Sequence, residues 1–218
     1  YNDHAMIAGQ ATCAMEIFEE LEDIDIIMAP VGGGGLLSGT ALSSKYISPG
    51  TRVIAAEPEM ADDAYRSFYQ GKFIPSTNPK TIADGLRTQL GDQNFPIIRK
   101  LVSKIIRVEE TEIVEAMKFI WERMKIVIEP SSAVAVAAMF RNSSEFKKRK
   151  VGVILSGGNN DMSRYPELRE RALLYKKLKH YFIVRFPQRP GALKEFVMEV
   201  LGPEDGEAAA RGCHGLAG

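Results

Sequence analysis

Four consecutive glycines, Gly32 to Gly35, stand between a short apolar run, Ile24 to Val31, and a segment from Leu36 to Leu42 with the spacing of a helix. A strand that enters a side-chain-free loop and leaves as a helix suits an anion. The backbone N–H groups can close around a phosphate, and the helix start adds its partial positive charge. The alternative is a flexible turn, which the strand-like and helix-like flanks disfavour.

Four apolar runs have the character of buried strands: 24–31, 52–56, 105–108 and 151–155. Helix-period segments separate them, at about 8–22, 36–46, 60–70, 111–126 and 131–141, with Thr111 as the expected N-cap of the fourth. This alternation predicts an α/β domain whose mostly parallel, open sheet is covered by helices on both faces. Ligands of such sheets gather beyond the carboxyl ends of the strands. Three strands end in unusual residues: the first in the glycine loop, the second in Glu57-Pro58-Glu59-Met60-Ala61-Asp62-Asp63, and the last in Ser156-Gly157-Gly158-Asn159-Asn160-Asp161. A single pocket is the simplest account of the three.

The phosphate ligand is not fixed by spacing. No Gly-Lys-Ser or Gly-Lys-Thr follows the loop, so it is not a Walker A element. A dinucleotide fits as well as another phosphate ligand, because Gly33, Gly35 and Gly39 approximate the Rossmann fingerprint and Glu57 ends the next strand where a ribose-binding acid would sit.

Charge narrows the partners. The 28 basic and 28 acidic residues cancel, so no net field draws nucleic acid or a membrane surface. Apolar stretches are broken by charge before they reach membrane-spanning length. The two cysteines, Cys13 and Cys213, make no disulfide framework, and the first residues resemble no signal peptide. A soluble cytoplasmic protein acting on a small molecule is expected.

Longer motifs carry a family resemblance. Pro30-Val31-Gly32-Gly33-Gly34-Gly35-Leu36, with Ile7-Ala8-Gly9-Gln10 upstream and Leu155-Ser156-Gly157-Gly158-Asn159 downstream, resembles the second fold type of pyridoxal phosphate enzymes, in particular the serine/threonine dehydratase and serine racemase family. Ala55-Ala56-Glu57-Pro58, Ala61-Asp62-Asp63, Thr81-Ile82-Ala83-Asp84-Gly85 and Ile128-Glu129-Pro130-Ser131 are similar to the same group. The resemblance implies a tryptophan synthase beta-like fold, incomplete here. It also implies that Gly32, Gly33, Gly34, Gly35 and Leu36 hold the phosphate of pyridoxal 5'-phosphate and that the Ser156 hydroxyl faces the pyridine nitrogen. A neutral hydroxyl stabilises a pyridinium less than a carboxylate does, which suits loss of an α-proton and a β-hydroxyl.

The resemblance further implies that Glu57, Asp63 and the Ala61 carbonyl hold a divalent cation. Hard oxygen ligands favour Mg²⁺ or Ca²⁺. The first turn of a helix, where negative charge is favourable, is the other reading of Asp62 and Asp63. Asp84 is implied as a substrate-side residue, against a plain Asp-Gly turn. Glu129-Pro130-Ser131 reads as a helix start, with Glu129 near the site by resemblance. His4, His180 and His214 have no metal spacing and receive no chemistry.

The family's Schiff-base lysine lies in a Ser-x-Lys-x-Arg-Gly type motif that this chain lacks, so no catalytic residue is assigned and the chain alone is expected to be inactive. Residues 1–175 are expected to form the C-terminal portion of the catalytic domain. Residues 176–203 resemble the start of the ACT-like α+β regulatory domain of short biosynthetic threonine dehydratases, with a strand over 180–187 and a helix over 191–201. Residues 204–218 are an unassigned tail, disordered or non-native. The resemblance implies an amino-acid substrate, threonine dehydratase activity with serine racemase or serine dehydratase as the alternative, and a homo-oligomer when full length.

Overall fold

A computed structural model describes residues 1–201 other than 162, 164, 176, 186 and 188. The chain divides into two compact units, Tyr1–Lys179 and His180–Gly218.

The first unit is built on four parallel strands, β1 (Ile26–Pro30), β2 (Arg52–Pro58), β3 (Lys104–Val108) and β4 (Val151–Val153), in the order β3-β2-β1-β4. Every residue of β1 is buried, as an unbroken apolar run between two helical layers requires. Ile26 and Met28 face one core with Ile54 and Ala56, under α5 (Glu110–Met124) and α6 (Pro130–Arg141). Ile27 and Ala29 face the other with Val53, Ala55 and Ile105, under α1 (His4–Glu20), α2 (Gly35–Ile47), α3 (Asp63–Gln70) and α4 (Asn94–Leu101). A further helix, α7 (Tyr165–Tyr175), packs on α5, with the Tyr165 and Trp121 ring centroids 3.7 Å apart. No helix among the described residues is long and apolar enough to cross a membrane.

Local chemistry explains the helix boundaries. The Asp3 carboxylate accepts the Ala5 N–H at 2.7 Å and caps α1, so that helix starts four residues before the expected 8–22. The fourth expected helix is α5, capped by Glu109 rather than Thr111: the Glu109 N–H donates to the Glu112 carboxylate at 2.8 Å in a capping box. Thr111 instead lies inside the first turn, its buried hydroxyl without a partner among the described residues. Pro130 opens α6 as its first residue, where its missing N–H costs nothing. Two helices, α4 and α7, lie outside the expected helical segments, and β4 stops at Val153, with Ile154 donating one more bond to the Met28 carbonyl at 2.9 Å.

In the second unit, α8 (Ala192–Phe196) runs into a turn of π-helix, Val197–Leu201, within the expected helix. The strand expected over 180–187 is not formed among the described residues there. Tyr181, Phe182 and Ile183 are exposed, and an extended segment becomes a strand only where a neighbouring strand pairs with its backbone. Cys213, His214 and the 204–218 tail lie outside the described residues.

Candidate functional site

The sheet order decides where ligands can sit. From β1 the chain moves to β2 and then β3, and it returns to the opposite side of β1 as β4, so the loops after β1 and β4 diverge and leave a crevice between them. A cavity of about 220 Å³ lies there, lined by Gly32 to Leu36 from the first loop and Ser156 from the second. Gly85, Leu86, Thr88, Glu129 and Ser131 close other sides.

The glycine loop presents donors. Among the described residues, the amide N–H groups of Gly32, Gly33, Gly34, Gly35 and Leu36 find no protein acceptor, and they stand at the start of α2. Gly34 caps that helix at φ +92°, a conformation open to glycine. A Cβ on it would lie 2.9 Å from Asn94 Cβ and 3.0 Å from Leu90 and Ile98, so the cradle has no room for a side chain. Two hydroxyls lining the cavity, Thr88 Oγ1 and Ser131 Oγ, are buried and unpartnered among the described residues. Orphaned amides and hydroxyls around a cavity at a helix N-terminus fit a phosphorylated ligand.

Ser156 is held at the mouth by its neighbours. The Gly157 N–H donates to Ser132 Oγ at 2.6 Å, the Ser132 hydroxyl donates back to the Gly157 carbonyl at 2.7 Å, and the Asn159 N–H donates to the Glu129 carboxylate at 3.1 Å. Glu129 sits so close to Gly157 that a Cβ there would fall 2.8 Å from its carboxylate. The turn after β4 is thereby tied to the start of α6, with Ser156 in the lining of the cavity.

The acids after β2 are elsewhere. Glu57, 1% exposed, turns beneath α3, where its carboxylate accepts the Ala64 and Tyr65 N–H groups at 3.0 and 2.7 Å. Asp63 occupies the first turn of α3, and its carboxylate accepts the Leu90 N–H at 2.8 Å. Neither lines the cavity, so the three strand ends do not form one pocket, and Glu57 is in no position to bind a ribose there. Burial pushes the Glu57 carboxyl well above the usual range; the Tyr65 amide opposes this and the nearby Asp63 charge adds to it. Burial raises Asp63 too, against the Leu90 amide. Asp62 is paired instead, with Arg66 at 2.8 Å and Arg107 at 2.9 Å, while Arg107 lies over the Tyr65 ring.

Glu57 and Asp63 are buried with no Lys, Arg or His paired to them among the described residues, and Ala61 is buried as well; hard oxygen donors of this kind are those that Mg²⁺ or Ca²⁺ takes. Among the described residues no cluster of three or more His, Cys, Asp or Glu is arranged for a metal. Asp84 is exposed and opens a 3-10 turn, its carboxylate accepting the adjacent Gly85 N–H at 3.2 Å, and it is Gly85 that lines the cavity. Thr88, Ser131 and Asn94 were not singled out as site residues from the sequence; Thr88 lies in a loop with no periodicity to mark it.

The sequence pattern of a family described as pyridoxal-phosphate dependent enzyme matches residues 1–157. The chain belongs to that family. Its members depend on pyridoxal phosphate, and dehydratases and racemases are among its relatives here. A second pattern, the C-terminal regulatory domain of threonine dehydratase, matches residues 170–207. The β-hydroxyaspartate dehydratase of Paracoccus denitrificans is 50% identical over 166 residues, covering 76% of this chain and 53% of that protein. The biosynthetic L-threonine dehydratase IlvA of Halalkalibacterium halodurans is 42% identical over 207 residues, covering 94% of this chain and 50% of that protein. The crystal structure of serine racemase from Dictyostelium discoideum superposes with a TM-score of 0.69 at 48% identity, covering 74% of this chain and 53% of that one. The chain spans about half the length of the curated relatives it matches.

Proposed function

We propose that this protein is a threonine dehydratase, eliminating water from L-threonine, and from L-serine as a second substrate, to give an enamine whose hydrolysis takes up water again and releases ammonia, leaving a 2-oxo acid. The observation that carries this reading is the similarity that continues past the catalytic region: the threonine dehydratase regulatory pattern covers 170–207, and the biosynthetic enzyme aligns over 94% of the chain. A second reading, serine racemase, L-serine dehydratase or β-hydroxyaspartate dehydratase, is favoured by 50% identity to such relatives over about three quarters of the chain.

In either reading Gly32 to Leu36 grip the cofactor phosphate through their N–H groups, and the start of α2 adds its dipole. Ser156 presents its hydroxyl to the ring nitrogen, held there by the Ser132 and Glu129 ties to its turn. Bound pyridoxal phosphate supplies the electron sink that lets an amino acid lose its Cα proton. Asp84, beside Gly85, is the substrate-side residue at the rim. Glu57, Asp63 and the Ala61 carbonyl hold Mg²⁺ or Ca²⁺ outside the cavity, where the ion offsets the buried charge. The enzyme is a cytoplasmic homo-oligomer.

The test is product formation by the complete protein with pyridoxal phosphate and Mg²⁺. Rapid 2-oxobutyrate from L-threonine, outpacing pyruvate from L-serine, is expected. Oxaloacetate from 3-hydroxyaspartate, or D-serine from L-serine, as the fastest reaction would replace it with the second reading.

A further inference from the structure

A loop of four glycines has a weakness that the fold must correct. The peptide joining two such residues can turn over by a coupled change of about 180° in the flanking ψ and φ, the difference between type I and type II turns. Glycine accepts both signs of φ, so the backbone itself does not choose. In the wrong orientation a carbonyl oxygen, not an N–H, faces the anion.

The Gly33–Gly34 peptide is held from outside. The Gly33 carbonyl accepts two hydrogen bonds, from the Gly91 N–H at 3.0 Å and from Asn94 Nδ2 at 3.0 Å. The second Nδ2 hydrogen of Asn94 goes to the Tyr1 carbonyl at 2.9 Å, so the amide is oriented at both ends. Asn94 is fully buried at the first position of α4, packed between Gly34 and Gly91: a Cβ on either glycine would come within 3 Å of its side chain. All described peptides are trans, and in a trans peptide the C=O and the following N–H point in opposite directions. Fixing the Gly33 carbonyl toward α4 therefore aims the Gly34 N–H the other way, toward the cavity that Gly34 lines.

We propose that Asn94 is a positioning residue for the cofactor phosphate, locking the Gly33–Gly34 peptide in the one orientation that offers an N–H to the anion. The assignment rests on the phosphate-binding reading of the glycine loop. It separates the two amide atoms of Asn94. Nδ2 does the orienting, while Oδ1, buried and unpartnered among the described residues, contributes nothing to it.

The test compares pyridoxal 5'-phosphate with pyridoxal, which lacks the phosphate, in the complete protein and its Asn94→Ala and Asn94→Asp variants. Dissociation constants are read from the absorbance of the bound cofactor. Asn94→Ala removes one of the two bonds that hold the Gly33 carbonyl, leaving the Gly91 N–H, and should weaken pyridoxal 5'-phosphate about tenfold, as for one hydrogen bond. Asn94→Asp places an acceptor against the Gly33 carbonyl, drives the peptide over, and should weaken it further. Pyridoxal should bind all three proteins within about twofold. Variants that bind pyridoxal 5'-phosphate as the parent does, or that lose both ligands in equal proportion, overturn the proposal; the second result would mark Asn94 as a packing residue. If the parent itself binds the two ligands equally well, the phosphate reading of the loop fails instead. Should Asn94→Asp not fold, Asn94→Ala alone decides.

Discussion

Alanine at Gly39 and alanine at Gly9 are the same chemical change in two adjoining helices, and the structure assigns them opposite signs. Gly9 lies on the exposed side of α1, where an added Cβ meets nothing within 4 Å. The substitution should stabilise the protein by about 0.5–1 kcal/mol through helix propensity and a less flexible unfolded chain. Gly39 is buried where α2 crosses α1, and its Cβ would fall 2.5 Å from the Ala11 nitrogen and 2.8 Å from the Gln10 carbonyl carbon and the Ile7 oxygen. These are backbone atoms of a helix and cannot rotate aside, so the two helices must separate. Overpacking of this kind costs about 1–3 kcal/mol. Separation also strains the bond from Ser43 Oγ to the Ala11 carbonyl, now 2.8 Å, at about 1 kcal/mol. A propensity gain of about 1 kcal/mol opposes both. The net expectation is a loss of about 1–3 kcal/mol, read as a lower urea midpoint with an unchanged slope. Cofactor affinity should fall with it, because α1 carries Met6 and Gln10 into the cavity. If Gly39→Ala raises the midpoint as Gly9→Ala does, the close crossing of α1 and α2 is wrong.

Ser156→Ala in the complete enzyme should cut turnover about tenfold or more while changing stability by less than about 0.5 kcal/mol, since the side chain is exposed and only the hydroxyl is lost; undiminished turnover would remove Ser156 from the site. Stripping the enzyme with a chelator should lower its melting temperature, and Mg²⁺ should restore it; indifference to both would leave Glu57 as a cap of α3 and Asp63 as the acceptor of the Leu90 N–H alone. Acid should destabilise the protein through Asp25, whose carboxyl is held below its usual value by the Lys150 N–H and then by Arg149. A depressed carboxyl contributes fully above its unfolded value, about 3.9, and loses that contribution as the pH falls through the folded one. Asp25→Asn should therefore flatten the fall in urea midpoint below about pH 4, and an unaltered acid slope would discount the link between β1 and β4.

What the sequence determined by itself was local and periodic. Ile26 to Pro30 form a strand buried on both faces because an unbroken apolar run of that length allows little else, and Gly32 to Gly35 must be a side-chain-free turn into a helix. Glu129-Pro130 had to open a helix, since proline is tolerated at its first position. Tertiary structure decided which strand ends meet. Placing β4 beside β1 brings Ser156 to the glycine loop, while Glu57, on the strand next to β1 on the other side, turns away beneath α3. It also decided that Asn94, 61 residues from Gly33, orients the loop. Neither outcome has a period or a motif to announce it. Each depends on chain segments far apart in sequence whose closeness follows from strand order and helix packing, and both appear only when the whole core assembles.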